Sequence, residues 1–216
     1  MSFKAAIFDL DGVIVNTVPL HFRAWKRMFS EYGKDFTFED YKEKVDGIPR
    51  LDGAKAILKD LNPGELEKAA SRKQGYYLEL VDSGTIEIYD TTVSLIKELK
   101  KKDIRVAAAS SSRNCSYILE KSGIIDLFGA VIGGGDFKKG KPDPEIFLLA
   151  ASRLKSSTGE SVVFEDAKLG VEAAKNGGML CVGIAREGKR ELLRGADIIV
   201  EDLAEVNYET LKNLFK

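Results

Sequence analysis

One histidine, one tryptophan and two cysteines in 216 residues leave little material for several common chemistries. The cysteines, Cys115 and Cys181, both stand beside apolar stretches. They do not amount to a disulfide framework and read as buried thiols in a reducing compartment. No charge of one sign dominates either: 33 Lys and Arg face 34 Asp and Glu, for a net charge of -1. That balance argues against nucleic acid or an anionic membrane as the main partner. No apolar run approaches the ~18 residues of a spanning helix. Met1-Ser2-Phe3-Lys4 leads straight into the first apolar segment, which leaves no room for a signal peptide, so a cytoplasmic location is expected. Internal repeats and low-complexity tracts are absent. What is present is a globular composition, 44% hydrophobic and 31% charged, long enough for one large domain or two small ones.

The stretch Ala5-Ala6-Ile7-Phe8-Asp9-Leu10-Asp11-Gly12 organises the rest. A continuous apolar run reads as a buried parallel strand, and α/β folds place their chemistry at the carboxyl ends of such strands. Asp9 and Asp11 there would repel each other unless a cation or a shared proton lies between them. Asp9 can attack a phosphoryl group as a nucleophile, and Asp11 can move a proton as general acid or base. Taken alone, the short D-x-D-G pattern also fits a calcium-type loop or an acidic turn.

After Thr17 the period becomes helical, with Leu20, Trp25, Met28 and Phe29 among Arg23, Lys26, Arg27 and Glu31. Further helices are predicted over 38–45, 53–61 and 65–81, with Asp46-Gly47-Ile48-Pro49-Arg50 as a rigid turn. Residues 17–82 thus read as a small helical domain inserted after the first strand. From 83 onward, strands predicted at 104–109, 130–132, 161–164, 180–184 and 198–200 alternate with helices. The expected fold is α/β, a doubly wound parallel sheet built from 1–16 and 83–216 and carrying the helical insertion as a cap.

Three more strand-end features carry chemistry. Ser110 follows an apolar strand, where a hydroxyl and neighbouring N–H groups can cradle phosphate; a serine-rich turn is the plainer alternative. Lys141 stands in Lys138-Lys139-Gly140-Lys141-Pro142-Asp143-Pro144. A charge run is usually a solvated face, but two prolines stiffen this one and aim the lysine. Glu165 and Asp166 end another buried strand. With Asp9 and Asp11 they would make a hard oxygen site suited to Mg2+, or else serve as an acidic helix start.

The order Asp-x-Asp-Gly, strand-Ser, Lys-Pro, Glu-Asp closely resembles the haloacid dehalogenase superfamily, over nearly the whole chain. The resemblance implies Asp9 as nucleophile, Asp11 as acid/base, Ser110 and Lys141 holding the phosphate, and magnesium at the acidic residues.

A narrower likeness is to the beta-phosphoglucomutase branch, carried by His21-Phe22-Arg23-Ala24-Trp25-Lys26, Gly47-Ile48-Pro49-Arg50, Arg72-Lys73 and Ser110-Ser111-Ser112-Arg113-Asn114. It implies a sugar-phosphate substrate held by Trp25, Gly47, Arg50, Lys73, Ser112, Arg113 and Asn114, with His21 assisting Asp11. It also implies interconversion of beta-glucose 1-phosphate and glucose 6-phosphate through a bisphosphate. A mutase holds two phosphates at once, so its cap needs a cation, and Arg50 is the candidate. On residue type alone His21 and Trp25 read as structural. The chain departs from the branch at Asp46, where a lysine is usual, at Gly53 for serine, at Asn16 for aspartate, and at Asp90-Thr91 for proline-glycine. A sugar-phosphate phosphatase, or a non-catalytic binding protein of the same fold, therefore stands beside the mutase reading. A monomer is expected.

Overall fold

The computed structural model describes residues 2–186 and 190–216. Six strands form one parallel sheet: β1 (Ala5–Asp9), β2 (Arg105–Ala109), β3 (Ala130–Ile132), β4 (Ser161–Glu165), β5 (Leu180–Ile184) and β6 (Ile198–Val200). Their order is β3-β2-β1-β4-β5-β6. The order reverses beside β1, and the crevice at that switch point is where such sheets bind ligands.

Burial explains why β1 is apolar without alternation. Ala6 and Phe8 point into one core cluster, and Ala5 and Ile7 into the cluster on the opposite face. Both faces are covered, so every position must be apolar. Phe8 lies opposite Phe164 of β4, and their rings stack at 4.1 Å. Helices α5 (Asp90–Lys101), α6 (Cys115–Lys121) and α9 (Tyr208–Leu214) cover one face, and α7 (Glu145–Arg153) and α8 (Lys168–Asn176) the other. Cys115 and Cys181 are buried free thiols in these clusters.

Between β1 and α5 lie α1 (Val18–Ser30), α2 (Phe38–Lys44), α3 (Arg50–Ile57) and α4 (Pro63–Asp82). This helical insert has its own core of Val18, Trp25, Met28, Phe29, Phe36, Tyr41 and neighbours. Capping boxes at Thr37 and Asn62 start α2 and α4. The two connecting segments run side by side. Asn16 N–H donates to Glu87 O at 2.9 Å, Tyr89 N–H to Ile14 O at 3.0 Å, and the Asn16 amide to the Glu87 carboxylate at 2.7 Å. An aspartate at 16 would set two carboxylates against each other, which accounts for that departure.

The third helix of the insert runs over Arg50–Ile57 and not over the expected 53–61. The turn after α2 ends at Pro49, and Arg50 opens α3 instead of sitting on the turn. Proline at the cap position fixes φ and lets the next residue start the helix. No helix among the described residues is long and apolar enough to cross a membrane.

Candidate active site

Asp9 closes β1, Ser110 follows β2, and Glu165 closes β4. These strands are neighbours, so the sheet alone brings the three side chains to one edge. Lys141 reaches them from the segment before α7. Its ammonium is 2.6 Å from Asp9 Oδ1 and also donates to Glu165 Oε1, with only 1% of the side chain exposed. Burial works against that charge, but Asp9 and Glu165 outweigh it and hold Lys141 protonated well above its ordinary range. Burial raises the Asp9 pKa despite Lys141, and the charges of Glu165, Asp11 and Asp166 add to the rise.

Asp11 is bound differently. Burial disfavours its charge, yet His21, Thr17 and Ser110 hold its carboxyl below the usual range. Thr17 Oγ1 and His21 Nε2 (3.2 Å) donate to Oδ1, and Ser110 Oγ donates to Oδ2 at 3.1 Å. Behind His21, Lys73 donates to Nδ1 at 2.7 Å, which fixes the tautomer with the proton on Nε2. Tyr77 stacks on the imidazole at 4.0 Å. Burial, and then the charge of Lys73, lower the His21 pKa. Burial also drops Lys73 to about 7, with Arg50 acting in the same direction and Asp11 against it.

Asp166 lies against Gly12. A Cβ at position 12 would stand 2.3 Å from Asp166 Oδ2, and φ is +82° there, so the sharp turn and the carboxylate both require glycine. Lys42 of α2 meets Asp166 at 3.3 Å and Asp46 at 2.7 Å. Burial, more than Asp46 and Glu165, raises the Asp166 pKa to about 7 even with Lys42 beside it. The aspartate that stands at 46 in place of a lysine is thus met by a cation one helical turn earlier. Gly53 is explained as well: a Cβ would lie 2.8 Å from Trp25 Cζ2, so the indole occupies the space of any side chain.

These groups line a cleft of about 360 Å³ between the sheet edge and the insert. Asp9, Asp11, Ser110, Lys141, Glu165 and Asp166 meet His21, Trp25, Gly47, Arg50, Lys73, Ser112 and Arg113 there. Arg50 donates to the Gln74 side-chain carbonyl, and its pKa is lowered by burial and by Arg113. Ser111 Oγ donates to Gly47 O at 2.7 Å. Asn114 departs from expectation: its amide oxygen accepts from Gln74 at 2.8 Å, so it clasps the insert to the sheet side and does not line the cleft.

Of the four carboxylates expected to hold a metal, two have both oxygens engaged by the protein. Both oxygens of Asp11 accept from Thr17, His21 and Ser110. Both oxygens of Glu165 are engaged too, by Lys141 and by Ala167 N–H at 3.0 Å. Among the described residues no three His, Cys, Asp or Glu side chains group as a metal cage. Asp9 and Asp166 remain. Two buried carboxylates, both driven toward protonation, suit a divalent ion that takes one or two carboxylates and fills its shell with water and substrate oxygens. Mg2+ fits that donor set.

Sequence reasoning missed Lys42, Gln74 and the role of Thr17. Gln74 carries no charge to mark it. Lys42 had one signal, its spacing of four from Asp46 on a helical stretch.

A parallel sheet with this edge and this helical insert defines a class, and a family model for haloacid dehalogenase-like hydrolases matches residues 3–178. The chain belongs to that family. Among its relatives, the beta-phosphoglucomutase of Bacillus subtilis (strain 168) is 37% identical, over 96% of this chain and 93% of that one. The phosphorylated carbohydrates phosphatase of Thermotoga maritima is 33% identical, over 96% of this chain and 100% of that one. A beta-phosphoglucomutase structure from Clostridium difficile superposes with a TM-score of 0.91 at 30% identity, covering 99% of this chain and 97% of that one.

Proposed function

We propose that this enzyme transfers phosphoryl groups on sugar phosphates through an aspartyl-phosphate at Asp9, with Mg2+ bound. We further propose that its reaction is the isomerisation of beta-glucose 1-phosphate and glucose 6-phosphate through a bisphosphate. The observation that carries the second step is the presence of two sets of cations in one cleft. Lys141 stands beside Asp9, and Arg50 and Arg113, near enough for their charges to repel, line the same cleft. Two guanidinium groups that raise each other's electrostatic energy, with a neutral amide as Arg50's acceptor, suit a phosphate as their missing counter-charge.

In this reading the Asp9 carboxylate attacks phosphorus while the bond from phosphorus to the leaving sugar oxygen breaks. Lys141, fully charged, neutralises the phosphoryl oxygens as charge develops. Asp9 and Asp166 would hold magnesium, which when bound would further neutralise the transferring group. Starting from the phosphorylated enzyme, Asp11 as the anion takes the proton of the sugar hydroxyl that accepts the phosphoryl group, and as the acid it returns that proton to the sugar oxygen that leaves when Asp9 attacks the other phosphate; His21 and Thr17 orient it. Residues 17–82 act as a cap domain over the 1–16 and 83–216 core. The bisphosphate turns around in the cleft, one phosphate passing from Lys141 to Arg50 as the other passes from Arg50 to Lys141. The protein works as a monomer in the cytoplasm.

A phosphatase is the second reading, favoured by the acidic Asp46 on the cleft wall and by the likeness to a carbohydrate phosphatase. A non-catalytic binding role leaves the buried Asp9–Lys141 pair without use. The deciding experiment is a panel of sugar phosphates with magnesium, assayed separately for free phosphate and for isomer, with excess EDTA as control. Isomer without net phosphate release, lost in EDTA, is expected. Phosphate from every sugar and isomer from none leaves the phosphatase.

A further inference from the structure

The reaction above has no use for Lys42, yet its ammonium lies among the carboxylates of the site with 6% of the side chain exposed. A lysine is rarely buried unless paired. Two of its partners belong to different parts of the molecule. Asp46 sits in the insert and Asp166 follows β4, so the contact to Asp166 exists only while the insert lies against the sheet edge. The two contacts are unequal. To Asp46, one turn further along its own stretch, Lys42 makes a close ion pair at 2.7 Å, while to Asp166 it makes only a long hydrogen bond at 3.3 Å. Lys42 can therefore leave Asp166 and keep Asp46. Lys44, two residues on, is the contrast: it is half exposed and pairs with Asp40 on its own helix.

Asp166 also faces the like charges of Asp46, Glu165 and Asp9, and the Arg186 guanidinium is a further cation near it. An ammonium and a divalent cation on one carboxylate oxygen repel each other. We propose that Lys42 is a tethered competitor for the divalent cation at Asp166: it holds that carboxylate while the insert is seated, and ion binding displaces it, so cation affinity and insert position are linked. The linkage is reciprocal. Whatever seats the insert through Lys42 weakens ion binding, and a bound ion loosens the insert by the same factor. This inference rests on the divalent site proposed above.

The test is binding of Mn2+ alone to the whole protein, followed by electron paramagnetic resonance of the free ion. Lys42→Met should bind at least about tenfold tighter than the wild type, and Lys44→Met should match the wild type. The double variant Lys42→Met/Asp46→Asn should stay tighter than the wild type, because the gain comes from the lost competitor and not from a freed Asp46. A readout that needs no variant is the emission of Trp25, the sole tryptophan, which lines the cleft from the insert. Saturating Mg2+ should change that emission in the wild type and not in Lys42→Met. Equal Mn2+ affinity in the wild type and Lys42→Met, or a wild-type emission indifferent to Mg2+, overturns the inference and leaves the divalent site standing. No Mn2+ binding by the wild type removes the divalent site and this inference with it.

Discussion

The two walls of the cleft are built on different principles. On the sheet side, Asp9, Ser110 and Glu165 sit at or one residue past the ends of three adjacent strands. Strand spacing of about 4.8 Å sets their separation before any side chain packs. On the insert side, Lys42, Arg50 and Lys73 come from three different helices, and their meeting depends on how those helices pack around Trp25, Phe29 and Tyr41. The sheet wall holds its groups by backbone register; the insert wall holds them by pairwise side-chain adjustments. The departures from the mutase pattern show this. Asp46 is matched by Lys42 and Gly53 by the indole of Trp25, while Asn16 is matched by Glu87 where the two connecting segments run side by side.

The sharpest break of the sheet wall is Asp9→Asn. An amide is no nucleophile toward phosphorus, and Lys141 loses one of its two counter-charges. Turnover and phosphoryl labelling should both vanish while the circular dichroism spectrum stays that of the wild type. Labelling that survives would move the nucleophile off β1.

Arg50→Ala breaks the insert wall instead. A charge-assisted contact to phosphate contributes roughly 1.5–3 kcal/mol, so isomerisation should slow about tenfold to a hundredfold. Aspartyl-phosphate formation from acetyl phosphate uses the sheet wall alone and should hold nearly its wild-type rate. Equal losses in both assays would mean that the two walls do not divide the work.

The same contrast decides what the sequence made legible. Asp9, Asp11, Ser110, Lys141 and Asp166 could be located because each stands just past an apolar strand or in a proline-stiffened turn, and the strand ends of a parallel sheet converge by rule. All five line the cleft. Glu165 and Asp166 looked alike as neighbours; only the tertiary contact with Lys141 separates them. On the insert, Lys42 and Lys44 share one charge-rich helix, and nothing in the pattern says that one is buried and the other exposed. Asn114 carried the resemblance but spends its amide on Gln74, which no motif marks.

Lys73 gives a test of how much stability the insert wall gives up. Its folded pKa of about 7 lies below the unfolded value near 10.4, because burial disfavours the charge. Between pH 7 and 10.4 the unfolded chain holds a proton that the folded chain has lost, so stability rises with pH across that window. The penalty is full below pH 7 and gone above 10.4, with a ceiling of roughly 5 kcal/mol. Lys73→Met abolishes the titration. Its Tm should exceed that of the wild type by more at pH 6.5 than at pH 10. The lost bond to His21 acts at both values and cancels in the comparison. A Tm difference that is flat from pH 6.5 to 10 would show Lys73 charged in the cleft throughout.

The smallest effect separates packing from propensity within the insert itself. Gly53 in α3 and Gly75 in α4 are both helical, and alanine in an open helix position gains about 0.5–1 kcal/mol over glycine. Around Gly75 nothing lies within 4 Å of a new Cβ, so Gly75→Ala should raise stability by that amount. At Gly53 the new methyl meets the edge of Trp25, a ring with 3% exposure that stacks on Phe29 at 5.1 Å and has little room to retreat. Overpacking of this kind costs about 1–3 kcal/mol, which outweighs the helical gain and leaves a net loss of about 1 kcal/mol. For a chain of this size that is a fall in Tm of about 2–4 °C, measured by calorimetry against the rise in Gly75→Ala. Two alanines with opposite signs would show that the glycine at 53 serves the indole and not the helix. Equal rises would mean that Trp25 yields, and that the insert wall is softer than its packing implies.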